Sequence, residues 1–232
     1  MEQLSGGFTL HLPKGTFPLS TDSMALADFA VLPKRARVLD LGSGCGTLGV
    51  LLCAAHPDCS VTGLELAPAA HEAALGNIER NGLSERMESI CADLASVPSL
   101  VSPGSFSCCI SNPPYFSGGP VSAALPLARR EDLCSPEQLF TSAAWALKYG
   151  GDFFLVHRPE RLAELIAAAS RHRLEAKQLR LLRHRQDGDI SLILLRFRKG
   201  GKPGLMIDEL ALFDPQGQPT PAHRRIYHNK EA

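Results

Sequence analysis

Apolar and polar positions alternate along this chain in two rhythms. Short apolar runs bounded by turn residues predict strands at 37–41, 60–66, 87–91, 106–111 and 152–157. Helical spacing fills the gaps. Residues 47–55 are apolar almost throughout, and 68–81 open on Pro68 and stop at Asn81-Gly82. A third helix opens at Ser135-Pro136-Glu137 and is expected to run to Lys148 before Gly150-Gly151. A fourth, 159–173, places Leu162, Leu165, Ile166 and Ala169 on one face. Strands alternating with helices predict a parallel sheet covered on both sides. The rhythm then changes. Two further strands, 174–183 and 191–198, are joined through Asp187-Gly188 as an antiparallel hairpin.

The fold expected is therefore α/β: a mostly parallel seven-stranded sheet with helices on both faces and a C-terminal hairpin. Residues 37–200 form the domain, preceded by a segment at 1–36. Residues 201–232, dense in Gly and Pro, read as a tail packed on the domain or partly irregular.

Composition narrows the function only slightly. Lysine plus arginine and aspartate plus glutamate both number 24, so overall charge points to no polyanionic partner. The first residues contain no apolar core of signal-peptide type, and no run approaches the roughly 18 apolar residues of a membrane span. Seven scattered cysteines without a C-x-x-C pair argue against a disulfide framework or zinc site, and for a reducing cytoplasm. The eight histidines show no metal-ligand spacing.

Chemistry first surfaces in "VLDLGSGCGTLGVLL", residues 38–52. A strand ends near Asp40, and Gly42, Gly44 and Gly46 precede a helix, so backbone can approach a ligand beside an electropositive helix start. The dinucleotide fingerprint would need Gly or Ala where Thr47 stands. An acid two residues ahead of G-x-G-x-G suits a ligand with an amino group and no pyrophosphate, as in S-adenosylmethionine. Glu65, at the end of the next strand, is placed for ribose hydroxyls. In "CADL", Asp93 and Leu94 are placed to bond and pack an adenine.

The second motif is "ISNPPYF", residues 110–116. Proline cannot donate to a sheet ladder, so Asn112-Pro113-Pro114-Tyr115 must lie just beyond the fourth strand. Ligands of doubly wound sheets gather at that edge. There Asn112 and the Pro113 carbonyl could accept both protons of a conjugated amine or amide, and Tyr115 could stack on a planar group. Such a nitrogen is a poor nucleophile because its lone pair is delocalised. Two acceptors favour pyramidal geometry and aim the lone pair at a methyl donor.

These residues resemble those of class I S-adenosylmethionine methyltransferases of the N-P-P-Y branch, a Rossmann-like fold. The closest resemblance is to the bacterial tRNA(Val) adenine-N6 methyltransferases. It extends through "FPLSTDSMALADF", "ARRED" and "LVHRPERLAELI". It implies cofactor binding by Asp40, Gly42, Gly44, Gly46, Glu65, Leu66, Asp93, Leu94 and Asn112, with Thr21 and Asp22 closing the site from the N-terminal segment. It also implies that Asn112, Pro113, Pro114 and Tyr115 hold the target base in a metal-free, cytoplasmic enzyme, expected to be monomeric. Arg130 stands where relatives often have histidine.

Residues 171–202 carry ten Lys/Arg against three acids, a local excess able to track phosphates. Arg183, Arg185 and Arg198 belong to it, while Arg129 and Arg130 follow the N-P-P-Y stretch. The expected substrate is an adenine in structured RNA, with tRNA as partner. A protein glutamine amide, DNA adenine, and a non-catalytic RNA-binding role stay open.

Overall fold

The structure is a computed structural model that describes residues 1–113 and 135–227. Two short strands, β1 (Glu2–Gln3) and β2 (Thr9–Leu10), form an N-terminal antiparallel pair. Helix α1 (Thr21–Phe29) starts at Ser20, whose side chain caps it. The Rossmann-like series follows: β3 (Arg37–Leu41), α2 (Thr47–Ala55), β4 (Ser60–Glu65), α3 (Pro68–Arg80), β5 (Met87–Cys91), α4 (Val97–Leu100) and β6 (Phe106–Ser111). Beyond Ser135 come α5 (Pro136–Ala146), β7 (Leu147–His157) and α6 (Leu162–Arg171). The chain closes with β8 (Leu174–Arg185), β9 (Ile190–Lys199), β10 (Met206–Phe213) and α7 (Pro221–Tyr227).

The main sheet has the order β10-β8-β9-β7-β6-β3-β4-β5. β9 alone runs antiparallel to its neighbours. Apolar side chains form one cluster on each face: one contains Leu26, Val50 and Phe154, the other Leu39, Phe140 and Phe197. Burial on both sides explains the near-continuous apolar strands.

The sheet has eight strands, against seven expected. The extra one is β10, from the stretch read as a tail. It pairs in parallel with β8 (Ile207 against Leu179, Leu210 against Leu182), satisfying edge groups that β8 would otherwise expose. Gly and Pro cluster in the turns around β10, while α7 packs against α1 and buries Ile226.

The third helix also ends earlier than its sequence indicated. α5 stops at Ala146, and β7 begins at Leu147 with Gly150-Gly151 inside it. Register shifts there against β6, and a Cβ on residue 151 would meet the Lys148 and Ser107 carbonyl oxygens at 2.9 Å. Those glycines mark a bulge in a strand, and helix termination is not their role. The fourth helix is shorter too: a 3-10 turn over Pro159–Arg161 precedes α6.

Candidate functional site

Glycine geometry shapes the turn after β3. Gly42 (φ 75°) and Gly44 (φ 56°) hold left-handed backbone, and a Cβ at either would project into open space. That space is where a ligand can approach the backbone. Gly46 (φ 78°) serves packing instead, since a Cβ there would lie 2.9 Å from Met87 Cε. Backbone bonds tie the turn to β4: the Gly42 and Ser43 amides donate to the Leu64 carbonyl at 2.9 and 3.0 Å. Glu65 completes the tether, its Oε2 accepting from the Gly44 amide (2.8 Å) and its Oε1 from Ala67 (2.7 Å). An ionised carboxylate has further lone pairs, so this frame leaves Glu65 capacity for a hydroxyl.

Beneath the turn lies Asp40, fully buried in β3. Neither of its oxygens, nor the buried Ser43 hydroxyl, has a hydrogen-bond partner among the described residues. Burial, followed by the nearby charge of Glu65, pushes the Asp40 pKa up to about 8. Unsatisfied buried polar atoms are uncommon, and three of those among the described residues belong to this turn and the strand end beneath it. That set fits a ligand bearing ribose hydroxyls and an ammonium group.

A cavity of about 360 Å³ opens beside the turn. Gly42–Cys45 and the start of α2 (Thr47, Leu48) form one wall. Phe17, Pro18, Ser20, Asp22 and Ser23 form the N-terminal wall, while Asn112, Pro113 and Arg158 come from the strand exits. Asn112 Nδ2 donates to Ser23 Oγ at 3.0 Å, joining the β6 exit to α1. Fully buried Asn77 ties the N-terminal segment to the turn, its Nδ2 donating to the Cys45 carbonyl (2.9 Å) and the His11 carbonyl (3.0 Å).

The structure thus gathers Gly42, Gly44, Asp22, Asn112 and Pro113 around one cavity, above Asp40 and beside Glu65. Leu66 is exposed just past β4. Asp93 caps a 3-10 turn by accepting from the Ala95 amide (2.7 Å), and Leu94 is buried with its carbonyl taking the Ser142 hydroxyl (3.0 Å). Neither lines the cavity, though both sit beyond β5 on the same sheet edge. The Thr21 hydroxyl turns away to pair with the Tyr227 hydroxyl. Pro114, Tyr115, Arg129 and Arg130 lie outside the described residues.

The hairpin arginines separate. β8 ends on the same edge as β7, which puts Arg183 and Arg185 on the cavity side of the sheet. Arg183 donates to the Gly188 carbonyl and lies 3.7 Å from Glu209. Arg185 pairs with Asp187 (3.0 Å) and donates to the Pro215 carbonyl. Arg198 lies near the end of antiparallel β9, toward the opposite edge, in a two-pronged pair with Asp152 at 2.8 Å.

Sequence reasoning missed Ser23, Ser43, Asn77 and Arg158. Ser43 was inside the glycine motif and Arg158 directly follows β7, so position alone marked both. Ser23 directly follows Thr21 and Asp22 in a stretch already marked by the resemblance, whereas Asn77 gave no local signal. Among the described residues no His, Cys, Asp and Glu group could hold a metal, and no helix is long and apolar enough to cross a membrane.

Residues 21–177 match the model of the methyltransferase small domain family. A tRNA1(Val) (adenine(37)-N6)-methyltransferase of Bacteroides thetaiotaomicron is 30% identical over 182 residues, covering 75% of this chain and 74% of that protein. A release factor glutamine methyltransferase of Gloeobacter violaceus is 34% identical over 155 residues, 65% of this chain but only 48% of that protein. In fold, the chain is similar to the crystal structure of Atu636 from Agrobacterium tumefaciens, described as a predicted O-methyltransferase. The TM-score is 0.76 at 24% identity, covering 91% and 98% of the two chains. The matched family model spans most of the chain, from α1 through the start of β8, and takes in the glycine turn, Asp40 and Asn112: this chain belongs to the methyltransferase small domain family.

Proposed function

We propose that this chain transfers a methyl group from S-adenosylmethionine to the N6 amine of an adenine in structured RNA, a tRNA near its anticodon. One observation carries the reading. Asn112 and Pro113 share a cavity with the open glycine turn, so an amine acceptor and a cofactor cradle face the same space.

The cofactor, when bound, supplies an electrophilic methyl on a sulfonium. The rest falls to the protein. Gly42 and Gly44 let backbone approach the ligand, Asp40 and Ser43 meet its ammonium group, and Glu65 receives ribose hydroxyls. Leu66, Asp93 and Leu94 border the adenine end. Asn112 Oδ1 and the Pro113 carbonyl accept the two amine protons of the target, weakening conjugation with the ring and aiming the nitrogen lone pair. Asp22 and Thr21 belong to the helix that covers the cofactor. A base must leave its stack to enter, and Tyr115 is the expected stacking partner. Arg129, Arg130, Arg183 and Arg185 are the candidate phosphate contacts. The name of the Bacteroides relative supports adenine in tRNA as the acceptor.

A glutamine side-chain amide is the second reading, because the same two acceptors suit it and the Gloeobacter relative is named for that chemistry. The chain spans about half of that relative's length. Incubating the protein with methyl-labelled cofactor, unmodified tRNA and a release-factor substrate separates the two. Label in tRNA alone supports the proposal; label in protein alone replaces it with amide methylation.

A further inference from the structure

We infer that Asn77 is a positioning residue for cofactor binding, its carboxamide setting the N-terminal wall of the cavity against the glycine turn. Docking of the N-terminal segment and binding of cofactor are then linked, given the reading of that turn as the cofactor cradle. Asn77 lies fully buried in α3. Its Oδ1 accepts from the His11 amide at 2.7 Å and from Arg80 Nη1 at 3.1 Å. Its Nδ2 donates to the His11 carbonyl at 3.0 Å and to the Cys45 carbonyl at 2.9 Å. Both ends of the amide are thus fully used. Its backbone partners have fixed polarity, which fixes the amide as well. Turned over, it would set NH2 against an N–H and oxygen against two carbonyls.

Asn81, one helical turn later, grips Thr9 in the same way. Its Oδ1 accepts from the Thr9 amide and its Nδ2 donates to the Thr9 carbonyl, both at 2.8 Å. Helix positions four apart are separated by about 6 Å along the axis, close to the roughly 6.6 Å between alternate residues of an extended chain. This face of α3 therefore holds Thr9 and His11 as a neighbouring strand would. Leu10 between them is fully buried in the core. Beyond His11 the chain reaches Phe17, Pro18 and Ser20, which line the cavity.

The two asparagines differ in one contact. Asn81 makes its further bond inside α3, to the Asn77 carbonyl at 2.7 Å, whereas Asn77 reaches Cys45 in the glycine turn. Ala74, also fully buried, brings α3 against the same turn, since a Cβ on Gly46 would lie 3.4 Å from its side chain. Cys45 lines the cavity, and His11 does not. A ligand seated on the turn therefore acts on His11 through Asn77. Such coupling is reciprocal, so a docked segment favours the turn geometry that binds ligand.

Amide hydrogen exchange on the wild type, with and without S-adenosylhomocysteine, is the first test. Saturating ligand should slow exchange at His11 by about threefold or more. Unchanged exchange there overturns the inference. Calorimetry and steady-state kinetics on Asn77→Asp, Asn77→Ala and Asn81→Ala form the second. Asn77→Asp keeps an acceptor for the His11 amide and removes both donors. Either Asn77 variant should raise the S-adenosylhomocysteine Kd and the S-adenosylmethionine KM about tenfold or more. Both kcat and the acceptor KM should move by less than about threefold. Asn81→Ala breaks the Thr9 pair and spares the Cys45 contact, so its Kd should stay within about threefold of wild type. Equal affinity losses at the two positions, or a fall in kcat with cofactor KM unchanged, would make Asn77 a structural residue only and overturn the inference. Should the Asn77 variants fail to fold, the exchange result decides. A wild type that does not bind S-adenosylhomocysteine sinks the cofactor reading of the glycine turn first. If it binds and the Asn77 variants bind as tightly, only the role of Asn77 fails.

Discussion

Asp40 shows how a single residue can be legible as a motif and opaque as chemistry. Its spacing from Gly42, Gly44 and Gly46 marked a ligand-binding turn, but nothing in that spacing says that both oxygens are buried without partners. The consequence is a pH dependence. Burial raises the Asp40 pKa from 3.8 to about 8, so the folded protein keeps a proton that the unfolded chain releases. The associated stability is complete below the unfolded value, falls as pH rises between the two values, and is lost above about 8. A bound ammonium group favours the carboxylate, so cofactor binding near pH 7 should expel about one proton. Calorimetry in buffers of different ionisation enthalpy will read that release, and Asp40→Asn should abolish it while weakening binding. Proton-neutral binding by the wild type would contradict this role. Gly44→Val should also weaken cofactor binding, because a branched side chain would enter the open cradle from left-handed backbone. Asn77 was illegible for a different reason: it acts through contacts to distant segments, and hydrophobic periodicity carries no record of such pairings.

Among the elements, those with strong period and clean punctuation were readable. α2 and the strands β3, β5 and β6 occupy the residues expected from their apolar runs. β10 was not readable, because flanking Gly and Pro masked a strand whose reason to form is the open edge of β8. β10 and α7 also support the site. Ile226 of α7 is 3% exposed, and Arg225 pairs with Asp28 on the helix that carries Asp22 and Ser23. Ile226→Ala should therefore cost about 2–4 kcal/mol by denaturant titration. Unchanged stability would mean that α7 is peripheral to α1. The hairpin arginines make a sharper contrast. Arg198 engages Asp152, itself only 13% exposed, on the edge away from the cavity. Arg198→Gln is expected to lower stability by about 1 kcal/mol and leave RNA affinity unaltered. Arg183→Gln with Arg185→Gln should weaken RNA binding and flatten its salt dependence. The reverse pattern would move the RNA surface to the other edge.

At the scale of the whole molecule, the sheet brings the described site residues together at one edge. β3 brings the glycine turn, β4 brings Glu65, β6 brings Asn112, β7 brings Arg158, and α1 closes over them from the N-terminal side. That convergence follows from topology, because ligands of such sheets collect beyond the strands' carboxyl ends. The alternating pattern made it legible before any side chain was placed. Acceptor identity was not legible in the same way, since an adenine amine and a glutamine amide ask the same of two carbonyl oxygens. The decisive measurement is mass spectrometry of nucleosides from unmodified tRNA incubated with S-adenosylmethionine and either wild-type protein or Asn112→Ala. Wild type should yield N6-methyladenosine, and Asn112→Ala at least a hundredfold less, about 2.7 kcal/mol of lost transition-state stabilisation, with cofactor affinity retained. Equal N6-methyladenosine from both proteins, or none from the wild type, would contradict the account.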